Sequence, residues 1–377
     1  MTWPVSGSLR KRILVGQIVD DANNNPQCLN AKMLLSRASR PEISWTALFY
    51  NQPDPAVARA RNVRLVRLWR WRFWPWHKFL FYQRPADAIF YPGAYWFDDL
   101  ALQLRKKTGR RVPVIATMEG FVGSEERERK LSAWAGHSVF CQRVSEKLLS
   151  RIDRVLHEAD HVIAISPFIA AMGTRLYGDK FSVLPLGVDR KIFFPPEERP
   201  RGLFTVVGAG RLYENKRPQL FVEMAKRFPS VSFIWYGDGE LREPLEKEVA
   251  RLDLRNIEFR RAISNRLLGE EFRHADLFVL PSRAEGVPKV TQEAAACRLP
   301  VIVFGFYEAP TVIDGQNGYV VWSEEQLFQR VGQLIQDREA AQVMGMRGAE
   351  MAKEWDWDQI APRWENQIFW IASQTQG

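Results

Sequence analysis

The chain of 377 residues holds three cysteines, Cys28, Cys141 and Cys297, odd in number and far apart. Such spacing excludes a disulfide framework and a cysteine metal site, and it points to a reducing compartment. Long apolar runs are missing as well. The longest, such as "ADLFVLP" around Leu277, fall far short of a bilayer span. Residues 1–18 show neither the apolar stretch of about 7–15 residues nor the small-residue cleavage site of a secretory signal. A cytoplasmic protein is therefore expected. The formal charge of +9 comes without a zinc-finger, RNP or helix-turn-helix signature, which argues against a nucleic-acid partner. Acid is locally absent too: none occurs from Pro55 to Ala86.

What is present describes a globular protein, 46% hydrophobic and 26% charged. The length exceeds one ordinary core, so two domains are expected. Short β-rich runs alternate with helical patterns. "RILVGQI" (12–18), "DAIFYPG" (87–93), "VPVIATM" (112–118) and "HVIAIS" (161–166) read as buried parallel strands. The series restarts with "LFTVVGAG" (203–210), "VSFIWYG" (231–237), "NIEFRR" (256–261), "DLFVLPS" (276–282) and "PVIVFG" (300–305). Two such series predict an α/β protein of two Rossmann-like, doubly wound domains. The expected division is 1–188, a linker at 189–202, 203–356, and a C-terminal helix over 357–377 that crosses back to the first domain. Ligands in such sheets bind beyond the carboxyl ends of strands, and a cleft between the domains is the default active site.

"HEADH", His157 to His161, spells a zinc motif. That chemistry needs both rings on one helical face and a third ligand. Here the second histidine opens a strand, so the rings are expected to diverge, and no metal site is expected. Ser166 before Pro167 reads as a helix N-cap. Asp189 in "GVD" reads as a turn residue that fixes the linker.

Two stretches carry chemistry. In "VVGAGRLYENKRPQL" a strand ends, a small-residue turn follows, and Arg211 and Lys216 stand on the outgoing loop. Two such cations can converge on a diphosphate, Arg as a planar fork and Lys as a point charge. A solvated basic loop is the alternative. In "PSRAEGVPKVTQEAAACRLPVIV", Glu285 lies in the loop and Glu293 eight residues on, within a helix opened by Pro288. A helix N-terminus attracts phosphate. A carboxylate beside a phosphate site makes sense where it accepts hydrogen bonds from hydroxyls, which sugars offer. Glu293 also reads as an ordinary N-terminal helix acid.

With "YGDGELREPL", "LPLGVD" and "DGQNGYVV", these stretches resemble the retaining GT-B-fold glycosyltransferases of family 4, over roughly residues 160–375. The first 120 residues match in pattern alone. The resemblance implies two domains facing across a cleft and a nucleotide-sugar donor as substrate rather than a cofactor. It implies that Arg211 and Lys216 neutralise the donor diphosphate, that Glu285 holds sugar hydroxyls, and that Glu293 binds the nucleotide ribose. The backbone of Gly286, Val287 and Pro288 faces sugar and phosphates, and Gly237 and Asp238 line the donor site, with Asp238 alternatively a turn residue. The acid pairs Asp20–Asp21 and Asp98–Asp99 lack the spacing of a DxD metal cluster, so metal independence is expected. In the family a His often follows the fourth strand. Here "ATMEGF" puts Glu119 there, a candidate acceptor-side base or hydroxyl ligand whose rival is a structural role.

The expected function is transfer of a hexose from a UDP- or GDP-sugar to a glycan or lipid-linked acceptor. The rivals are an epimerase and a catalytically dead basic protein that binds nucleic acid or membrane. One further stretch, "LWRWRFWPWHKFLFYQR" (68–84), interleaves aromatics with cations. Arg67, Trp69, Arg70, Trp71, Arg72, Trp74, Trp76 and Lys78 fit peripheral docking on an anionic membrane surface. The alternatives are an edge strand at 63–71 with core packing beyond it, and base stacking.

Overall fold

The computed structural model describes residues 10–22, 26–68, 74–92, 96–107, 112–120, 150–198 and 202–374. Cys141 lies outside them. The chain divides into two compact units, one made of 1–186 with 357–377 and the other of 187–356.

Unit one is a seven-stranded sheet of order β3-β2-β1-β4-β5-β6-β7. The strands are β1 (Lys11–Ile18), β2 (Ile43–Phe49), β3 (Val63–Arg67), β4 (Ala88–Phe90), β5 (Val114–Met118), β6 (His161–Ala164) and β7 (Phe181–Val183). All pairs are parallel, and the direction of winding reverses between β1 and β4. The central strands are buried on both faces, as helices on each side of a parallel sheet require. At the edge, β3 leaves Arg64 and Arg67 in solvent, so the edge-strand reading holds for 63–67. The helix Pro167–Tyr177 begins where Ser166 accepts from the Ile169 N–H at 3.2 Å. It ends at Gly178, whose φ of +87° suits glycine.

The last helix, Trp357–Gln374, belongs to unit one, and a buried carboxylate fixes it. Glu365 is 1% exposed. It accepts from Trp45 Nε1 at 3.2 Å, Ser39 N at 2.9 Å and Arg40 N at 3.1 Å. Trp364 stacks edge-on against Phe90 and donates to the Pro185 carbonyl at 2.9 Å.

Unit two is a six-stranded parallel sheet of order β10-β9-β8-β11-β12-β13. Its strands are β8 (Thr205–Ala209), β9 (Ser232–Tyr236), β10 (Ile257–Arg260), β11 (Leu277–Leu280), β12 (Val301–Phe304) and β13 (Gly318–Val321). The winding reverses between β8 and β11, a topological switch point at whose carboxyl end ligands settle. β2, β7 and β13 are additions to the strands read from the sequence. The segment expected as a linker, 189–202, is largely part of this unit: Phe193 is buried in its core, and Ile192 packs on Gly269. Proline and charge suggested a free connection there, but one aromatic anchor holds it. Asp189 is a turn residue as expected, its carbonyl accepting from Ile192 N and Phe193 N.

Candidate active site

The loop leaving β8 and the loop leaving β11 carry the charged residues, and the sequence ties the two together. After Gly210 the chain runs through Arg211 into a short 3-10 turn, Glu214–Lys216. Asn215 Nδ2 donates to the Ala284 carbonyl at 2.8 Å, and Arg283 N donates to the Asn215 carbonyl at 2.9 Å. Lys216 Nζ meets Glu285 Oε1 across this brace. Arg217 follows in the left-handed conformation at φ +50°. Its buried guanidinium lies 4.8 Å over the Phe304 ring and pairs with Glu324. Burial lowers its pKa against the opposing pull of Glu324. Arg211 is exposed, donates to the Tyr213 hydroxyl at 3.1 Å, and has no carboxylate partner among the described residues.

The floor of the site is backbone against backbone. Gly237 has a φ of +154°, and a Cβ there would collide with the Gly210 carbonyl. Trp235 Nε1 donates to the same carbonyl at 2.9 Å. Gly237 is thus required by packing, and it holds the β8 and β9 loops together. Asp238 follows Gly237 on the loop leaving β9, and its carboxylate accepts from Ala262 N at 2.9 Å and Arg242 Nε at 2.9 Å. Those bonds, that to Ala262 first, lower its pKa.

Gly286, Val287 and Pro288 form the loop that joins β11 to the helix Lys289–Ala296. No side chain caps the start of that helix, which leaves it suited to an anion. Glu293 stands within it, half-buried, and burial raises its pKa against a smaller opposing effect of Lys289. No hydrogen bond to its carboxyl exists among the described residues.

In unit one, Glu119 follows β5 and Tyr91 follows β4. The Tyr91 hydroxyl donates to Glu119 Oε1. Tyr91 itself has a positive φ of 55°, a strained conformation for a non-glycine residue. Both line a small pocket with Asn30, Phe90, Trp357 and Trp364. The sequence does not mark Asn215, Arg217 or Tyr91. The 3-10 turn and the left-handed residue leave no periodic signal that could have marked them.

Other expectations divide. His157 meets Tyr177 edge to face with centroids 5.0 Å apart, while His161 Nε2 contacts Ser182 Oγ at 2.9 Å, so the two rings diverge. Burial lowers the pKa of His161. Asp20 accepts from the Tyr50 and Asn51 backbone, and Asp99 pairs with Arg154 at 2.8 Å. In the basic-aromatic stretch, Trp69 to Arg72 lie outside the described residues, as does the Trp74 side chain. Arg67 is exposed, and Trp76 is 57% exposed. Lys78 is not a surface cation: it is 2% exposed and pairs with buried Asp98 at 3.0 Å. The local run contains no acid, but the fold supplies one from the neighbouring helix Trp96–Lys107. No helix among the described residues is long and apolar enough to cross a membrane.

The family model for Glycosyltransferase Family 4 matches residues 40–191, and that for Glycosyl transferases group 1 matches residues 204–337. The chain is 30% identical over 214 residues to an Escherichia coli UDP-Gal:alpha-D-GlcNAc-diphosphoundecaprenol alpha-1,3-galactosyltransferase, covering 50% of this chain and 51% of that one. About half the length of such curated relatives is spanned. Among solved structures, the sucrose-phosphate synthase of Thermosynechococcus elongatus superposes with a TM-score of 0.77 at 19% identity, covering 97% of this chain and 100% of that one. Anabaena HepE, solved in complex with UDP and glucose, gives 0.71 at 16% identity, over 95% and 99%.

Proposed function

The two halves of this chain make a glycosyltransferase of the GT-B fold, and from that premise we propose that it moves a hexose from a UDP- or GDP-sugar to a glycan or lipid-linked acceptor, with retention at the anomeric carbon and without a metal ion. The observation that carries the reading is the braced pair of loops at the second sheet's switch point, with Arg211, Lys216 and an uncapped helix start on one rim. Breaking the sugar–phosphate bond builds negative charge on the departing diphosphate. Two cations and oriented N–H groups stabilise it in place. Lys216 turns from Glu285 to the diphosphate, and Glu285 is released to sugar hydroxyls. Glu293, with no internal hydrogen bond, is suited to the two ribose hydroxyls. On unit one, Glu119 takes the proton of the acceptor hydroxyl, and Tyr91 holds its carboxylate in position. The HepE complex with UDP and glucose and the relative named for UDP-Gal and a diphosphoundecaprenol acceptor support a UDP-sugar and a lipid-linked acceptor.

The same reading places the enzyme in polysaccharide or glycolipid biosynthesis on the cytoplasmic face of a membrane, docked peripherally. Trp76 and Leu80, four residues apart on the helix Trp74–Tyr82, are both exposed and supply the apolar contact. The test is a panel of UDP- and GDP-sugars scored for hydrolysis and transfer, with and without EDTA. Stabilisation by about 2.7 kcal/mol is expected at a hundred times the dissociation constant of the matching free nucleotide. Stabilisation by an oligonucleotide instead, or activity lost in EDTA and restored by Mg²⁺ or Mn²⁺, contradicts the corresponding part.

A further inference from the structure

We infer that the Tyr307 hydroxyl selects the transferred sugar, donating a hydrogen bond to a free hydroxyl that Glu285 also binds, so that the donor carries an uncharged hexose unsubstituted at that position. The inference rests on the donor site proposed above. Tyr307 follows β12 by three residues, and β12 lies beside β11 in register, Leu280 opposite Val303. The loops leaving these two strands therefore emerge side by side, one carrying Glu285 and the other Tyr307. The Tyr307 loop is tied down: Thr311 Oγ1 contacts Thr291 Oγ1 at 2.8 Å, and Thr291 Oγ1 donates to the Pro288 carbonyl at 2.6 Å.

Tyr307 is 6% exposed, yet its hydroxyl has no hydrogen-bond partner among the described residues. Buried hydroxyls are nearly always bonded, because leaving one unpaired is costly. Burial, and after it the negative charge of Glu285, raise the phenol well above its ordinary pKa. It is therefore a neutral donor at every physiological pH. A sugar hydroxyl has one proton to give and two lone pairs to receive. It can give its proton to the Glu285 carboxylate while accepting from Tyr307. A sugar carboxylate or an acylated position has no proton for Glu285 and is rejected.

The decisive variant is Tyr307→Phe, which keeps the ring and its packing. Probes are UDP-glucose, UDP-galactose and GDP-mannose, with the monodeoxy analogues of whichever supports turnover. The variant should bind free UDP or GDP as the wild type does, and its melting temperature should hold or rise. Its kcat/KM on the parent donor should fall about tenfold, the scale of one neutral hydrogen bond. One deoxy donor should lose more than tenfold in the wild type and about tenfold less than that in the variant, where only the Glu285 bond remains to be lost. A variant that discriminates every deoxy donor as the wild type does overturns this inference alone. So does a lowered melting temperature, which would mean the hydroxyl was bonded internally. Failure of the wild type to bind either nucleotide overturns it together with the donor site.

Discussion

Replacing Lys216 by alanine should separate two tasks that this side chain performs at once. In this structure it pairs with Glu285, and in the proposed reaction it neutralises the diphosphate. The two side chains are 21% and 14% exposed, which lies between two measured regimes. Fully exposed pairs are worth about 0–1 kcal/mol, and removing one partner of a buried pair costs about 3–5 kcal/mol. For Lys216→Ala we therefore expect a loss of about 1–3 kcal/mol, at the level of unit two. Each kcal/mol moves the melting temperature of a domain of this size by about 2–4 °C. Turnover should fall about 10²–10³-fold, as when one preorganised charge stabiliser is removed. The double variant Lys216→Ala with Glu285→Gln removes the stranded carboxylate charge. It should regain most of the lost stability and none of the lost turnover. Calorimetry and initial rates on the same preparations give both numbers. Turnover restored in the double variant would mean that Lys216 acts only by neutralising Glu285. An unshifted melting temperature for the single variant would mean that the two charges are not coupled in the folded protein.

Three further outcomes follow from buried groups. Glu293 has a raised pKa in the folded state, so the native protein holds that proton more tightly than the unfolded chain, and stability declines as pH rises above the ordinary carboxyl range of about 4.3. Glu293→Gln should be more stable than the wild type at pH 7 and gain nothing near pH 4, while calorimetry shows weaker binding of free nucleotide; equal weakening in Glu285→Gln would contradict the division of roles. His161 has a lowered pKa, so its contribution is fully present above the unfolded value of about 6.5 and is lost as pH falls through it; His161→Asn should flatten the melting profile in that window, and an unchanged slope refutes this. Lys78→Met strands Asp98 in the interior and should cost about 3–5 kcal/mol in denaturant unfolding, whereas vesicle co-sedimentation should respond to Arg67→Gln and Trp76→Ala.

The sequence makes the second sheet and its charges legible for a physical reason. Buried parallel strands are continuous apolar runs, and the loops at their ends concentrate Arg, Lys and Glu in short, readable blocks. Pairings across long separations are not legible. Lys78 reads as a surface cation because Asp98 lies on another helix. Glu365 reads as one more polar position of an amphipathic helix, although Ser39, Arg40 and Trp45 all bond to it. Phe193 sits in a stretch whose proline and charge suggest a linker, and its burial appears only in three dimensions. Tyr307 has no local mark at all, since what distinguishes it is a missing partner.

The return of the final helix has a consequence for how the chain comes off the ribosome. Unit two begins at Gly187 and ends at Asp356, and its two ends meet: Val188 N donates to the Trp355 carbonyl at 2.8 Å, and Val188 bridges Asp356. It can close on itself once residue 356 has emerged. Unit one cannot. Its first strands are synthesised early, but Trp45, Ser39 and Arg40 wait for the Glu365 carboxylate, and Phe90 waits for Trp364. Of the two units, the one started first is completed after the other, and the exposed face of its sheet has to be kept from other chains through the synthesis of the whole intervening unit.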